Sequence, residues 1–296
     1  MNIAIKLPDD PNERVLTFPF LHQVYETLKD EDNFNFHLIS KEDEIELLHL
    51  LPFQAYYHPL SAEDLKNVFN IHRASMTLKI YQLDFFIDLS GNLVDAMIGF
   101  WLKAENRLGF QKTLNSFFYS DNFIKLKGRH PLDSYEELGQ IAFENFEEAK
   151  RVESREFERL VEDDYFIIEF KEESFECWKD FFDLVENKKF LLWCPGNIEA
   201  ISLEKLNNKN QYIIIEKDWI QLAKYLTYCD TFITSDILLL NIASYLGVYS
   251  FYLNRKEHRM DLVGPRKVVG SYLEFKNENV TALMDDFHRF IERERF

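Results

Sequence analysis

Short apolar runs alternate with longer amphipathic stretches along most of the chain. That rhythm predicts strands and helices in turn. Asn2–Lys6 reads as a strand. Val15–Leu28 reads as a helix, with Leu16, Pro19, Phe20, Val24 and Leu28 near one face. Phe34–Ile39 is expected to be a strand and Ala62–Val68 a short helix. Leu83–Leu89 is a third strand, followed by a turn at Gly91-Asn92, a helix over Leu93–Leu102 and a short strand at Arg107–Phe110. Ser134 to about Asp163 is charged and helical in pattern, and is the natural interdomain connection. The alternation then resumes. Strands are expected at Tyr165–Phe170, Phe190–Trp193, Tyr212–Ile215, Thr231–Thr234 and Tyr249–Leu253. Helices are expected at Trp178–Val185, Ile198–Leu206, Trp219–Cys229, Ile237–Leu246 and Val280–Glu294. Strand–helix alternation in both halves implies parallel sheets covered on both faces. The expected architecture is therefore α/β, with two nucleotide-fold domains facing across a cleft at the carboxyl ends of their strands. The boundaries read as 1–155 and 156–280, with 281–296 as a closing helix.

Composition agrees with two domains. The chain has 296 residues, 46% of them hydrophobic, with 28 Phe and 14 Tyr, so the cores should be rich in rings. Nine Gly and eight Pro argue against long flexible linkers. No apolar run reaches the roughly 18–20 residues that cross a bilayer. The opening Met1–Lys6 lacks the basic and apolar regions of a signal peptide. Cys177, Cys194 and Cys229 are odd in number and have no metal-ligand spacing. A cytoplasmic location, reduced thiols and no metal are the expectation.

The formal charge of −17 argues against nucleic acid as a partner, since phosphate neutralisation needs clustered Lys and Arg. It also opposes strong adhesion to anionic lipid. A small anionic ligand needs only one local cluster of donors. There is no Gly-rich phosphate loop, no Gly-x-Ser-x-Gly elbow and no His-Glu-x-x-His.

Four segments, taken in order, carry a family resemblance. Asn12-Glu13-Arg14-Val15-Leu16-Thr17-Phe18-Pro19 resembles an opening loop usually written Gly-Asp-Val-x-x-Thr-x-Pro. Asp84 to Leu93, with Ile87-Asp88 and Gly91, resembles Asp-x-x-Ile-Asp-x-x-Gly, and Arg107-Leu108-Gly109-Phe110 the strand after it. Glu176-Cys177-Trp178 falls where the pattern has Lys-x-Trp, and Leu192-Trp193 closes the next strand. Cys229-Asp230-Thr231-Phe232-Ile233-Thr234-Ser235-Asp236, with Leu246-Gly247-Val248 further on, resembles a strand, an Asp-Thr-Gly-x-x-His turn and a Leu-Gly-Val. Together they are similar to the bacterial lipopolysaccharide heptosyltransferases of glycosyltransferase family 9.

The resemblance implies a GT-B fold and sugar transfer from a nucleotide-sugar, ADP-heptose by resemblance, to a glycolipid or glycan acceptor. It implies no cofactor and at most peripheral contact with the inner membrane. Such transfer needs a carboxylate to take the acceptor proton and donors to hold the departing diphosphate. Glu13 matches the family's catalytic Asp. Ser235, Asp236 and Asn241 match the donor turn, and Glu199 lies near the ribose position. Glu176 stands where the family places a diphosphate-binding Lys. A unit charge pair at 4 Å is worth ~4 kcal/mol at an effective dielectric near 20, so this reversal costs roughly twice that. Lys171 or Lys179 would compensate in a different register. Ile237 and Leu238 replace the hydroxyl and the Gly of the turn, and Ile237–Leu240 reads as core. Lys6, Arg14, Arg107, Arg129, Arg266 and Lys267 are the cations that would serve an anion or the acceptor. Gly264-Pro265-Arg266-Lys267 resembles the family's loop after the last nucleotide-facing strand. Three readings stay open: an inverting transferase with Glu13 as base, a non-catalytic binding protein of the same fold, or an enzyme for an uncharged donor.

Overall fold

A computed structural model describes residues 1–112, 114–125, 128–148, 150–169, 189–193, 211–215, 218–254, 257–275, 285 and 289. The helices expected at Trp178–Val185 and Ile198–Leu206 lie outside these residues, as does most of Val280–Glu294. The chain divides into two compact units. The first is Met1–Arg155 with Met260–Lys267, and the second is Glu156–Arg259 with Val268–Phe296. A short segment late in the chain thus belongs with the first unit.

The first unit has six parallel strands: β1 (Asn2–Lys6), β2 (Asn35–Lys41), β3 (Tyr56–Leu60), β4 (Phe85–Asp88), β5 (Asn106–Phe110) and β6 (Asp121–Phe123). Their order is β3-β2-β1-β4-β5-β6. The second also has six: β7 (Phe166–Glu169), β8 (Lys189–Trp193), β9 (Gln211–Ile215), β10 (Thr231–Thr234), β11 (Ser250–Leu253) and β12 (Tyr272–Phe275). Their order, β12-β11-β10-β7-β8-β9, repeats the first. In each sheet the chain reverses direction beside its first strand, between β1 and β4 and between β7 and β10. Ligands of open α/β sheets sit outside the carboxyl ends at such switch points. The inner strands are nearly all apolar, as strands covered on both faces must be. Ile3, Ile5, Phe86, Ile87, Ile167, Ile168, Phe190 and Leu191 are fully buried.

Helices α1 (Pro11–Val15) and α2 (Phe18–Leu28) follow β1. They replace the single helix expected over Val15–Leu28, because the Thr17 hydroxyl bonds to the Arg14 carbonyl at 2.6 Å and closes the first turn there. A helix α3 spans Val68–Leu78, where Asn67 caps it through Asn70 N–H. The expected Ala62–Val68 is therefore misplaced by most of its length. Helix α4 (Leu93–Leu102) starts at the cap Asn92. Helix α5 covers Pro131–Ala142 and stops. The helix expected to run on to Asp163 is instead non-helical chain, pinned by buried Phe143, Phe146 and Phe157. Its Glu- and Arg-rich sequence offers no continuous apolar face. In the second unit α6 (Trp219–Leu226) and α7 (Ile237–Tyr245) follow β9 and β10. A short α8 (Met260–Val263) lies in the segment belonging to the first unit. Among the described residues no helix is long and apolar enough to cross a membrane.

Candidate functional site

At the carboxyl end of β1 the chain leaves the sheet through Leu7-Pro8-Asp9-Asp10. Asp10 caps α1 by accepting Glu13 N–H at 2.8 Å. Pro11 supplies the fixed φ suited to a first helical turn. The loop is held from beneath by Arg14, 1% exposed, which donates to the carbonyls of Pro8 at 3.1 Å and Asp9 at 3.3 Å. Lys6 is fully buried; its ammonium donates to Leu7 O at 2.7 Å and to Asp9 at 3.0 Å, and forms an ion pair with Asp95 at 3.1 Å. Burial opposes ionisation of Asp9, yet Lys6 and Lys41 outweigh it and hold that carboxyl below its ordinary value. Both cations build the loop that leads into α1 and Glu13.

Glu13 is one-third exposed. Its Oε1 accepts from the Tyr135 hydroxyl at 2.7 Å and from the Lys125 ammonium. Tyr135 comes from α5 and is fully buried, and Lys125 follows β6. Burial first, and the neighbouring Glu13 second, push the Tyr135 phenol well above its usual range, so it remains a donor. The Lys125 ammonium also lies over the rings of Phe110 and Tyr135, at 5.7 and 5.3 Å. Neither residue carries a motif signal. Tyr135 reads in sequence as one more ring on the apolar stripe of α5.

Beside this loop lies Asp88, at the end of β4. Its Oδ1 accepts Ser90 N–H at 2.8 Å, Ser90 Oγ at 2.7 Å and Gly91 N–H at 3.1 Å. Its Oδ2 faces the Tyr119 hydroxyl. Gly91 takes φ +63 in this turn, a region that side chains disfavour. Ser90 Oγ also lies 2.6 Å from Asp95 Oδ2. Burial, then Asp95, push the Asp88 carboxyl up to about 6. The Ile-Asp-x-x-Gly segment is thus a self-closing turn.

In the second unit the turn after β10 is arranged differently from a bare helix start. Asp236 caps α7, with Oδ1 accepting Leu238 N–H at 2.8 Å and Leu239 N–H at 3.4 Å. Ser235 N–H goes to Glu169 Oε2 at 2.9 Å, and Thr234 Oγ1 to the same oxygen at 2.8 Å. Glu169 ends β7, so a buried carboxylate sits at this switch point too. Register places Thr234 beside Tyr252, and Tyr252 beside Glu274. Burial, then Asp236 and Glu274, raise the Tyr252 phenol. The end of this sheet is therefore acidic among the described residues. Asn241 is buried inside α7. Leu239 and Leu240 join the core as expected, while Ile237 and Leu238 stay partly exposed. Glu176, Glu199, Lys171 and Lys179 lie outside the described residues.

The other cations expected to meet an anion have protein partners. Arg107 lies near the amino end of β5, opposite to the ligand side, and donates to the carbonyls of Phe118 at 2.9 Å and Ala104 at 2.8 Å. Arg129 pairs with Glu137. Arg266 pairs with Asp133 at 2.8 Å, and Lys267 with both oxygens of Glu136 at 2.6 and 2.7 Å. The His130 ring accepts Leu132 N–H and meets Gly264 O at 2.9 Å, so it is neutral with Nε2 as the donor. The Gly264–Lys267 segment is thus tied to α5 within the first unit. Among the described residues no group of His, Cys, Asp or Glu could hold a metal ion.

No family model matches the sequence, and no curated protein matches it. Solved structures do match in fold. E. coli heptosyltransferase WaaC with ADP aligns at TM-score 0.78 and 13% identity, covering 99% of each chain. The glycosyl transferase family 9 structure from Veillonella parvula DSM 2008 aligns at 0.72 and 16%, covering all of this chain and 89% of that one. UDP-GlcNAc 2-epimerase from Neisseria meningitidis, bound to UDP-GlcNAc, aligns at 0.59 and 10%, covering 100% and 92%. The chain has the GT-B fold, with two parallel-sheet α/β domains, as the motif order implied.

Proposed function

We propose that this chain is an inverting glycosyltransferase, moving a sugar from a nucleotide-sugar to a hydroxyl of a glycan or glycolipid on the cytoplasmic side, with at most peripheral membrane contact. The acceptor oxygen attacks the anomeric carbon as the bond to the diphosphate breaks. The bonding pair leaves with the nucleoside diphosphate, and Glu13 takes the acceptor proton. The observation that carries this reading is Glu13 itself. It is a one-third-exposed carboxylate in the first turn of α1, just after β1 at the sheet's switch point, with both donors on one oxygen. Support also comes from the near full-length likeness to heptosyltransferases, one of them, E. coli WaaC, in structures with ADP and with ADP-2-deoxy-2-fluoro heptose.

The donor is assigned to the second unit, at Ser235 and Asp236 after β10; Asn241, Glu199 and Glu176 are donor residues by resemblance alone. Asp236 and Glu169 already occupy the N–H groups at the start of α7, so a diphosphate there needs cations from elsewhere or a shift of these carboxylates. The test is transfer or donor hydrolysis by purified protein with ADP-, UDP- and GDP-sugars. Glu13→Gln is expected to lose 10²–10⁴-fold, the usual contribution of a general base. Transfer by Glu13→Gln at the wild-type rate overturns the mechanism. Calorimetry that finds no binding of any nucleotide-sugar replaces it with the non-catalytic reading.

A further inference from the structure

We propose that Tyr135 and Lys125 are positioning residues that fix Glu13 with one carboxylate oxygen anchored and the other turned toward the acceptor. This rests on the reading of Glu13 as the base. A glutamate side chain one-third exposed ordinarily samples several rotamers. Here two donors from separate elements converge on the same oxygen, Oε1. Oε2 has no protein partner among the described residues.

Neither donor is an incidental surface contact. The Tyr135 ring is fully buried, with centroids 6.1 Å from Phe20 and 5.9 Å from Phe110, so its hydroxyl has a set place. The Lys125 ammonium is steered by the same rings, Phe110 and Tyr135. The two reach Glu13 from 122 and 112 residues away in the sequence. Helix α1 is thereby tied to both α5 and the chain after β6.

The proton count is simple. Tyr135 and Lys125 keep their protons, and the acceptor proton goes to Oε2. Removing either one releases the anchored oxygen, so the orientation of the base is lost while the substrate sites are left as they were. A residue that only held the fold together would not separate the two.

Tyr135→Phe keeps the buried ring and deletes only the hydroxyl, so the fold should survive. It is expected to lower kcat roughly 10–100-fold, as small misplacements of a reacting group do. KM for both substrates should stay within about twofold. Lys125→Met should act likewise, and Lys125→Arg, which keeps the cation, should recover most of kcat. Circular dichroism checks that each variant is folded. If Glu13→Gln is inactive while Tyr135→Phe and Lys125→Met keep the wild-type kcat, the positioning role is overturned and the base stands. If Glu13→Gln transfers sugar as fast as wild type, the base assignment falls and the positioning role with it.

Discussion

Asp88→Asn should make the first unit more stable at neutral pH, and the gain should fade in acid. Asp88 is fully buried, and Asp95, 1% exposed, is its neighbour. One hydroxyl, Ser90 Oγ, lies 2.7 Å from Asp88 Oδ1 and 2.6 Å from Asp95 Oδ2. A single hydroxyl proton cannot serve both oxygens, so two ionised carboxylates are held there at a cost. That cost appears as the rise of the Asp88 carboxyl from 3.8 to about 6, caused by burial and then by Asp95. Between these values the folded chain holds a proton that the unfolded chain has lost. Stability therefore falls as pH rises through the window and stays lower above it. At ~1.36 kcal/mol per pH unit the full cost is about 3 kcal/mol, and about half of it falls between pH 5 and 7.5. The amide oxygen can still accept from Ser90 and Gly91 N–H. Its NH₂ takes away the acceptor of the Tyr119 hydroxyl, a loss that does not vary with pH across this range and so cancels in the comparison between pH values. Urea unfolding at pH 5, 6 and 7.5, with 5-fluorotryptophan reporting Trp101 of the first unit, gives the comparison. The variant-minus-wild-type stability should rise by about 1–2 kcal/mol across that range. A difference that stays flat with pH refutes the reasoning.

The remaining predictions concern the same unit. At Gly109 an added Cβ would meet the Tyr119 ring at 2.5 Å. Gly109→Ala should therefore cost ~1–3 kcal/mol and displace Tyr119 from Asp88, read as a lower unfolding temperature. His37, 1% exposed and packed on Tyr56, Tyr81 and His58, has its ring pushed down to about 4 by burial and then by His58. Its neutral form is favoured, so the stability is present above pH 6.5 and is lost as pH falls toward 4, by about 2 kcal/mol at pH 5. In His37→Phe that acid loss should shrink, measured by unfolding at pH 7.5 and 5.

The inner strands were legible because burial on both faces leaves little but apolar residues, as in Phe85-Phe86-Ile87 and Phe166-Ile167-Ile168. The strands missed were β3, β6 and β12, all at sheet edges. An edge strand has a neighbour on one side only and tolerates Pro59, Asp121 and Glu274, so its text resembles a loop. The overlong helix after Ser134 shows the reverse error. Helix-forming charged residues were read as a helix, though burial of Phe143, Phe146 and Phe157 decides the path there.

Carboxylates divide the same way. Asp88 and Asp236 have their partners within a few residues: Ser90 and Gly91 for one, Leu238 and Leu239 for the other. Short-range capping leaves a trace in local sequence. Glu13 was found by its place in a motif, but its state depends on Tyr135 and Lys125, which no spacing rule connects to it. The same holds at β7, where Glu169 answers Thr234 and Ser235 across 65 and 66 residues. What a carboxylate can do depends on how many of its oxygens already face protein donors. Asp88 has donors or a phenol on both oxygens and is bound into its own turn. Glu13 has both donors on Oε1, and an acceptor hydroxyl can meet only a carboxylate of that kind.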